Sequence, residues 1–418
     1  MTDELAAQIV ALDPLNLFIN FEQTSPDMNR FSEKIRSEMP VQSFLELAVW
    51  YYSLGLIDKC CMLLKAAPAN AEVSYWLAFL HKDTPDETAL LKEADAQNPA
   101  FVFPFRTESK TVFDWVMTKS VSWKPTYYMA LLQGAANNMD VTRTLLENMD
   151  NYPEYPPFYS LRAQLAVNDV DKERDLRKAV SLAPTEWRYI HQLTNYYIDK
   201  RDYVKALQTI KPFYPAHKNH FQTASLYART LSLNKQYANA DKILNNIHIL
   251  PFEGERGGRI MYREIKMMLA INALTKGKIK EARKKVDESN VWPHSLGVGK
   301  PYDDMIDDRL ENWIYAMIAI QSKNIADKDT HLIKVAQSKQ RINNPSGLLQ
   351  CVAWAMLGRK QQADDLFAEW QSLQRNDTLK QWGDRFYKNN RDKDYPFDLD
   401  EMTQLVGFIS GGRDTRLF

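Results

Sequence analysis

Cysteine is scarce, with three in 418 residues: Cys60 and Cys61 adjacent and Cys351 distant. So few exclude a disulfide framework, and the spacing lacks the paired thiolates of a structural zinc site, so all three read as core thiols. Net charge is also missing, because 53 Lys+Arg balance 53 Asp+Glu. A general nucleic-acid binder needs a basic stripe that releases counterions from phosphates, so neither nucleic acid nor an anionic membrane surface is an expected partner. The charge-free apolar stretches, such as Trp313 to Ile320, fall far short of the roughly 20 residues that span a bilayer. The opening residues, MTDELAAQIVALDPLN, carry acids where a secretory signal has its basic region, and no long apolar segment follows. A cytoplasmic chain is the expectation. Catalytic signatures are absent as well: no G-x-S-x-G, H-E-x-x-H or phosphate cradle occurs, so no enzyme, cofactor or metal is expected.

Glycine is sparse too, at 14 residues, and alternating strand patterns are few. What is there instead is apolar spacing of the i, i+3, i+4, i+7 kind, repeated along the chain and punctuated by prolines such as Pro68, Pro99, Pro184, Pro251, Pro293 and Pro345. The chain reads as all-α. Apolar residues make up 45%, enough for a large core.

The helices repeat. In YVKALQTI and YANADKIL the alanines Ala206 and Ala240 lie 34 positions apart, each three residues after a tyrosine, Tyr203 and Tyr237. A 34-residue helix–turn–helix period with small residues at the helix contacts is the pattern of the tetratricopeptide repeat family, which this chain resembles. The next anchor, Ala282, comes 42 positions on, and the excess of eight equals the length of PFEGERGG, Pro251 to Gly258, which reads as an inserted loop. Further copies appear around Ala48, Tyr51, Gly55 and Cys60, around Leu269, Ala270 and Gly277, and around Gly358 and Ala363. Each helix pair leaves one apolar face that only a neighbour can bury. The resemblance therefore implies a right-handed α–α superhelix, a TPR-like solenoid with a concave groove. The expected organisation is a helical cap or linker over 1–40, irregular repeats over 41–184, repeats over 185–292 with loop 251–258, further repeats over 293–373, and a polar C-terminal cap over 374–418.

A second resemblance rests on loops. ALDPLN at 11–16, LELAVWY at 45–51, FPFRTE at 103–108, LPFEGERGG at 250–258 and WPHSLGVGK at 292–300 are similar, in order, to DPLN, LELA, FPFR-x-E, HPWEGGEGK and YP-x-NLGEGK. Those motifs mark the helical C-terminal half of large bacterial proteins whose N-terminal half is an uncharacterised, aldose-epimerase-like β-sandwich region. Phe252 stands where that family has Trp, Arg256 interrupts the acidic-glycine run, and Ser295 and Val298 replace Asn and Glu. The resemblance implies an association with carbohydrate metabolism and a sandwich domain as a partner.

Loops on a rigid scaffold commonly carry binding residues, and guanidinium and carboxylate groups suit charged or hydroxyl-rich ligands. The candidate ligand or partner residues are therefore Arg106, Glu108, Glu253, Glu255, Arg256 and Lys300; salt bridges between repeats are the alternative role. The run Leu296-Gly297-Val298-Gly299-Lys300 lacks the Walker A spacing, and Pro301 follows the lysine, so it reads as a turn. Asp303, Asp304, Asp307, Asp308 and Glu311 have helical spacing and read as solvated acids at a helix N-terminus, with the basic run Lys276 to Lys285 able to pair with them. His217 and His220 could share a helical face without completing a zinc set. Trp50, Tyr51, Tyr196, Tyr197 and Trp354 read as core. Two functions follow: a scaffold that takes a protein or peptide partner in its concave groove, or a helical region whose loops help form a sugar site.

Overall fold

The computed structural model describes residues 3–149, 151–251 and 256–411, and all regular structure among them is helical. The chain divides into two compact units, 1–182 and 183–418. The first holds α1 (Asp3–Leu12), α2 (Leu17–Thr24), α3 (Met28–Ser32), α4 (Pro40–Ser53), α5 (Ile57–Ala66), α6 (Ala71–Leu80), α7 (Glu87–Ala96), α8 (Glu108–Val116), α9 (Trp123–Ala135), α10 (Met139–Glu147), α11 (Pro156–Leu165) and α12 (Asp169–Leu182). The second holds α13 (Trp187–Asp199), α14 (Tyr203–Ile210), α15 (Phe221–Leu233), α16 (Tyr237–Leu244), α17 (Gly257–Thr275), α18 (Ile279–Ser289), α19 (Arg309–Gln321), α20 (Ile325–Ala336), α21 (Gly347–Met356), α22 (Lys360–Leu373), α23 (Asp377–Asn390) and α24 (Leu399–Ile409).

Most helices pair as A and B arms of a hairpin, and one turn closes seven of these pairs. Gly55, Asn137, Arg201, Lys235, Gly277, Lys323 and Gly358 each take left-handed φ at the end of an A helix. The amide of the following residue then donates to the carbonyl five positions back: Leu56 to Tyr51, Asp202 to Tyr197, Gln236 to Leu231. This satisfies carbonyls that the helix end leaves open. Five residues beyond the left-handed position, in six of the seven turns, stand Cys60, Thr142, Ala206, Ala240, Ala282 and Ala363, all wholly buried, while the Lys323 turn has half-buried Lys328 there. Small side chains there let arm B lie close on arm A, so the 34-residue step read from Ala206 to Ala240 is the step between successive turns. Each unit is an α–α superhelical stack of TPR-like hairpins.

In unit 2 the A helices α13, α15, α17, α19, α21 and α23 each pack on the next A helix, whereas the B helices make no comparable contact. The stack therefore curves with its A helices inside. α24 then turns back onto α17 rather than continuing the stack, burying Met402, Leu405 and Val406 and setting Phe408 against Trp382. The A side of unit 2 at α17 is thus covered by the chain's own last described helix, and α17 is accordingly buried nearly all round, its charged Arg259, Glu264 and Lys266 included.

Several sequence expectations change. Gly257 and Gly258 belong to the first turn of α17, a helix of 19 residues, so the eight-residue excess is partly helix and not wholly loop; residues 252–255 lie outside the described ones. Cys61 is only half-buried, although Cys60 and Cys351 are core, where burial pushes both thiols up to about 12. Trp50 is exposed on α4, edge-on to Phe18, and Trp354 is half-buried. His217 and His220 share no helical face. His217 stacks on Phe213, while His220 caps α15 and meets His191 of α13 across Thr223.

That histidine pair is a titration point. The Thr223 amide donates to Nδ1 of His220, so the Thr223 hydroxyl donates there too and accepts from Nε2 of His191; both rings are neutral. Burial first, then the neighbouring His220 and His217, lowers the His191 imidazole to about 4. An unfolded chain therefore takes up this proton first as pH falls below about 6.5, and the stabilisation present above that pH is lost progressively towards 4. Unit 2 is expected to lose about 1–2 kcal/mol more between pH 7 and pH 5 than its His191→Gln variant does, in parallel urea titrations. Equal slopes for the two proteins would contradict this.

Candidate functional site

The loop between α7 and α8 is extended, and its side chains alternate. Val102 and Pro104 point into unit 1, while Phe101, Phe103 and Phe105 are 76%, 53% and 55% exposed. Phe101 also holds a left-handed φ of 59°, unusual for a bulky residue. Arg106 pins the loop: its Nη1 donates to the Gln42 side chain at 2.5 Å, Nη2 donates to the Gln42 carbonyl at 3.2 Å, and its Cζ lies 4.4 Å from the Phe105 ring centre. Two residues on, Glu108 opens α8 and is exposed, accepting from the Thr107 hydroxyl. Beneath the loop, Ser109 donates to the buried Glu72 at 2.8 Å and accepts from the Trp76 indole at 3.1 Å. Burial pushes the Glu72 carboxyl up, against the Ser109 bond and the Arg106 charge. Glu72 has no sequence signature, because only packing puts it under α8.

In unit 2 two of the resembling loops meet. The Ile249 amide donates to the Ser295 carbonyl at 2.8 Å. Gly297 has φ 71°, and a Cβ there would come 2.9 Å from the Ile249 carbonyl oxygen. A Cβ at Gly258 would meet the Ile249 side chain at 2.5 Å. These two glycines therefore serve close packing of the 292–300 turn on the entry to α17, in keeping with the reading of SLGVGK as a turn.

Beside that junction lies a cleft of about 410 Å³ lined by Arg259, Arg263, Trp292, Lys300, Asp303 and Glu311, among others. Arg263 forks onto Glu311, with Nε to Oε1 and Nη2 to Oε2 both at 2.5 Å, and Nη2 also donates to the Asp307 carbonyl at 2.8 Å. Lys300 pairs with exposed Asp303 at 2.7 Å. Arg256 stands at the N-terminus of α17, exposed and without a side-chain cap bond. Glu253 and Glu255 lie outside the described residues. Of the six sequence candidates, Arg106 and Glu108 share the unit 1 loop, while Arg256 and Lys300 belong to the unit 2 junction.

The acids of 303–311 do not form one solvated helical face. Asp303 sits in a 3₁₀ turn, and Asp307 is held low by its Arg309 partner against the opposing effect of burial. Glu311 is buried in α19 against Arg263. Nor does the basic run pair with them: Arg283 reaches Asp327, and Lys285 reaches Glu288 and Asp241. Arg259, Arg263 and Trp292 were not anticipated. The one local sign was two arginines four apart, on one helical face. Among the described residues no group of three or more His, Cys, Asp or Glu could hold a metal ion, and no helix is long and apolar enough to cross a membrane.

No family model and no curated protein matches the chain. Among solved structures it is similar to the TPR domain of P58(IPK), at TM-score 0.29 and 11% identity over 96% of each chain. It is also similar to human IFIT1, a dimer with PPP-AAAA, at TM-score 0.27 and 12% identity over 87% of this chain and 90% of that one. A third similarity is to Naa15/Naa10 bound to HypK-THB, at TM-score 0.26 and 10% identity over 97% of this chain and 65% of that one. Likenesses this remote carry no function across.

Proposed function

We propose that the chain is a protein-interaction scaffold whose partner engages unit 1 at the phenylalanine loop. The observation that carries this reading is the alternation of exposed Phe101, Phe103 and Phe105 with buried Val102 and Pro104. Three aromatic rings in solvent on a short segment pinned by Arg106 offer apolar area at low ordering cost, which is what an interface anchor requires. In unit 2, α24 already covers the A side at α17, which favours unit 1 as the open surface. The loop resemblance makes a β-sandwich domain the first partner to try.

The test is crosslinking mass spectrometry from cells, followed by titration of the partner found with wild type and with Phe103→Ser/Phe105→Ser. Binding is expected to weaken at least tenfold in the variant, since each buried aromatic contributes about 1.5 kcal/mol or more, with the fold intact because both rings are exposed. Unchanged affinity would move the interface elsewhere. The carbohydrate reading draws its support from the loop resemblance, and a glycan array with the full chain tests it separately.

A further inference from the structure

We propose that the cleft beside Arg259 is a binding site for a carboxylate carried next to an apolar group. Arg259 is 7% exposed and lines the cleft. One of its donors is used, Nη2 to the Ser289 carbonyl at 2.6 Å, and its Cζ lies 4.3 Å from the Trp292 ring centre. Among the described residues its Nε and Nη1 have no hydrogen-bond partner. Buried guanidinium groups ordinarily fork onto an acid, as Arg162 does onto Asp175 in unit 1 and Arg263 onto Glu311 one turn further along α17. The nearest charges give Arg259 no such partner: burial and the Arg263 charge push it down to about 10, against a weaker pull from Glu311. It keeps its charge at neutral pH, uncompensated in a buried place, where a buried charge is costly without an anion.

The remaining charges define the ligand. Around the cleft, Glu311 is committed to Arg263, Asp303 to Lys300 and Asp307 to Arg309. What remains is the Arg259 cation within and the exposed Asp308 at the rim. A single positive charge ringed by carboxylates suits a monoanion and disfavours a dianion such as phosphate. Ile260, Trp292, Met305 and Ile306 add apolar lining, and about 410 Å³ accommodates a small organic acid or the last residue of a peptide. The shared chemistry is a terminal carboxylate flanked by an apolar or aromatic group. This inference is independent of the phenylalanine loop in unit 1.

The experiment titrates the full chain by calorimetry with 3-phenylpropionate, its amide, inorganic phosphate, and a short peptide ending in phenylalanine as free acid and as amide. The two free acids are expected to bind and to raise the melting temperature. Both amides and phosphate should bind at least tenfold more weakly, and Arg259→Gln should weaken the acids at least tenfold without lowering the ligand-free melting temperature, since relief of the unpaired buried charge offsets loss of the Ser289 bond. A peptide acid at least tenfold tighter than phenylpropionate identifies a partner's C-terminus as the source, and equal affinities identify a free acid. Phosphate binding as tightly as the acids would overturn the proposal, as would no binding together with a destabilised Arg259→Gln. Carboxylate binding that appears only after Glu253→Gln and Glu255→Gln would overturn it too, because an internal acid would then occupy Arg259.

Discussion

Trp370→Ala is expected to lower the stability of unit 2 by about 3–5 kcal/mol, the usual range for removing a fully buried tryptophan. The ring sits between α21 and α23, with its indole donating to the Asn344 carbonyl at 2.9 Å. Two glycines make room for it. A Cβ at Gly383 would come 2.4 Å from the ring's Cη2 and one at Gly347 2.8 Å from its Cδ1. Gly383→Ala should thus cost about 1–3 kcal/mol with the tryptophan present. In the Trp370→Ala background the same change should be neutral or stabilising, because what remains is alanine's better helix propensity and a 3.3 Å approach to the flexible end of Leu348. Gly347→Ala should not be rescued, since its Cβ would also lie 2.1 Å from the Ile342 carbonyl oxygen. Urea denaturation of the four proteins of the Trp370/Gly383 cycle reads the coupling; equal costs for Gly383→Ala in both backgrounds would refute the fit described.

Glu311→Ala comes next in size, at about 3 kcal/mol. Glu311 holds Arg263 through two bonds at 2.5 Å, and Arg259 lies one turn away with no acid bonded to it among the described residues. Removing the carboxylate leaves Arg263 bonded only to the Asp307 carbonyl and takes away the acid whose charge also favours Arg259. Arg263 keeps about a fifth of its side chain in solvent, which places the expected loss at the low end for a broken buried pair. Arg263→Met in the same chain should restore most of it, because the pair is then replaced by apolar contact. Melting curves of the two single variants and the double variant decide this: a double variant no more stable than Glu311→Ala alone would mean that orphaned charge is not the cause.

The fold was largely legible and the site only partly, for reasons visible in single residues. Ala206, Ala240, Ala282 and Ala363 declare the hairpin contact, because a small side chain lets the two arms approach closely there. Gly55, Gly277 and Gly358 declare their turns. Asn137, Arg201, Lys235 and Lys323 occupy the same left-handed position without announcing it, since neighbouring helices hold them there against a local cost of about 1 kcal/mol. Arg106 and Lys300 could be picked as charged loop residues. Glu72, Arg259 and Glu311 could not, because a buried charge looks like any solvated one until its neighbours are known.

The linear chain by itself determined the helical class and the 34-residue register. Those follow from local sterics: periodic apolar faces, small residues at hairpin contacts, and turns where the chain takes left-handed φ. Tertiary structure alone decided that α24 turns back onto α17, that Phe101, Phe103 and Phe105 face solvent, and that among the described residues Arg263 finds an acid while Arg259 does not. Each of these depends on desolvation and pairing across segments far apart in sequence, energies that no local window of residues contains.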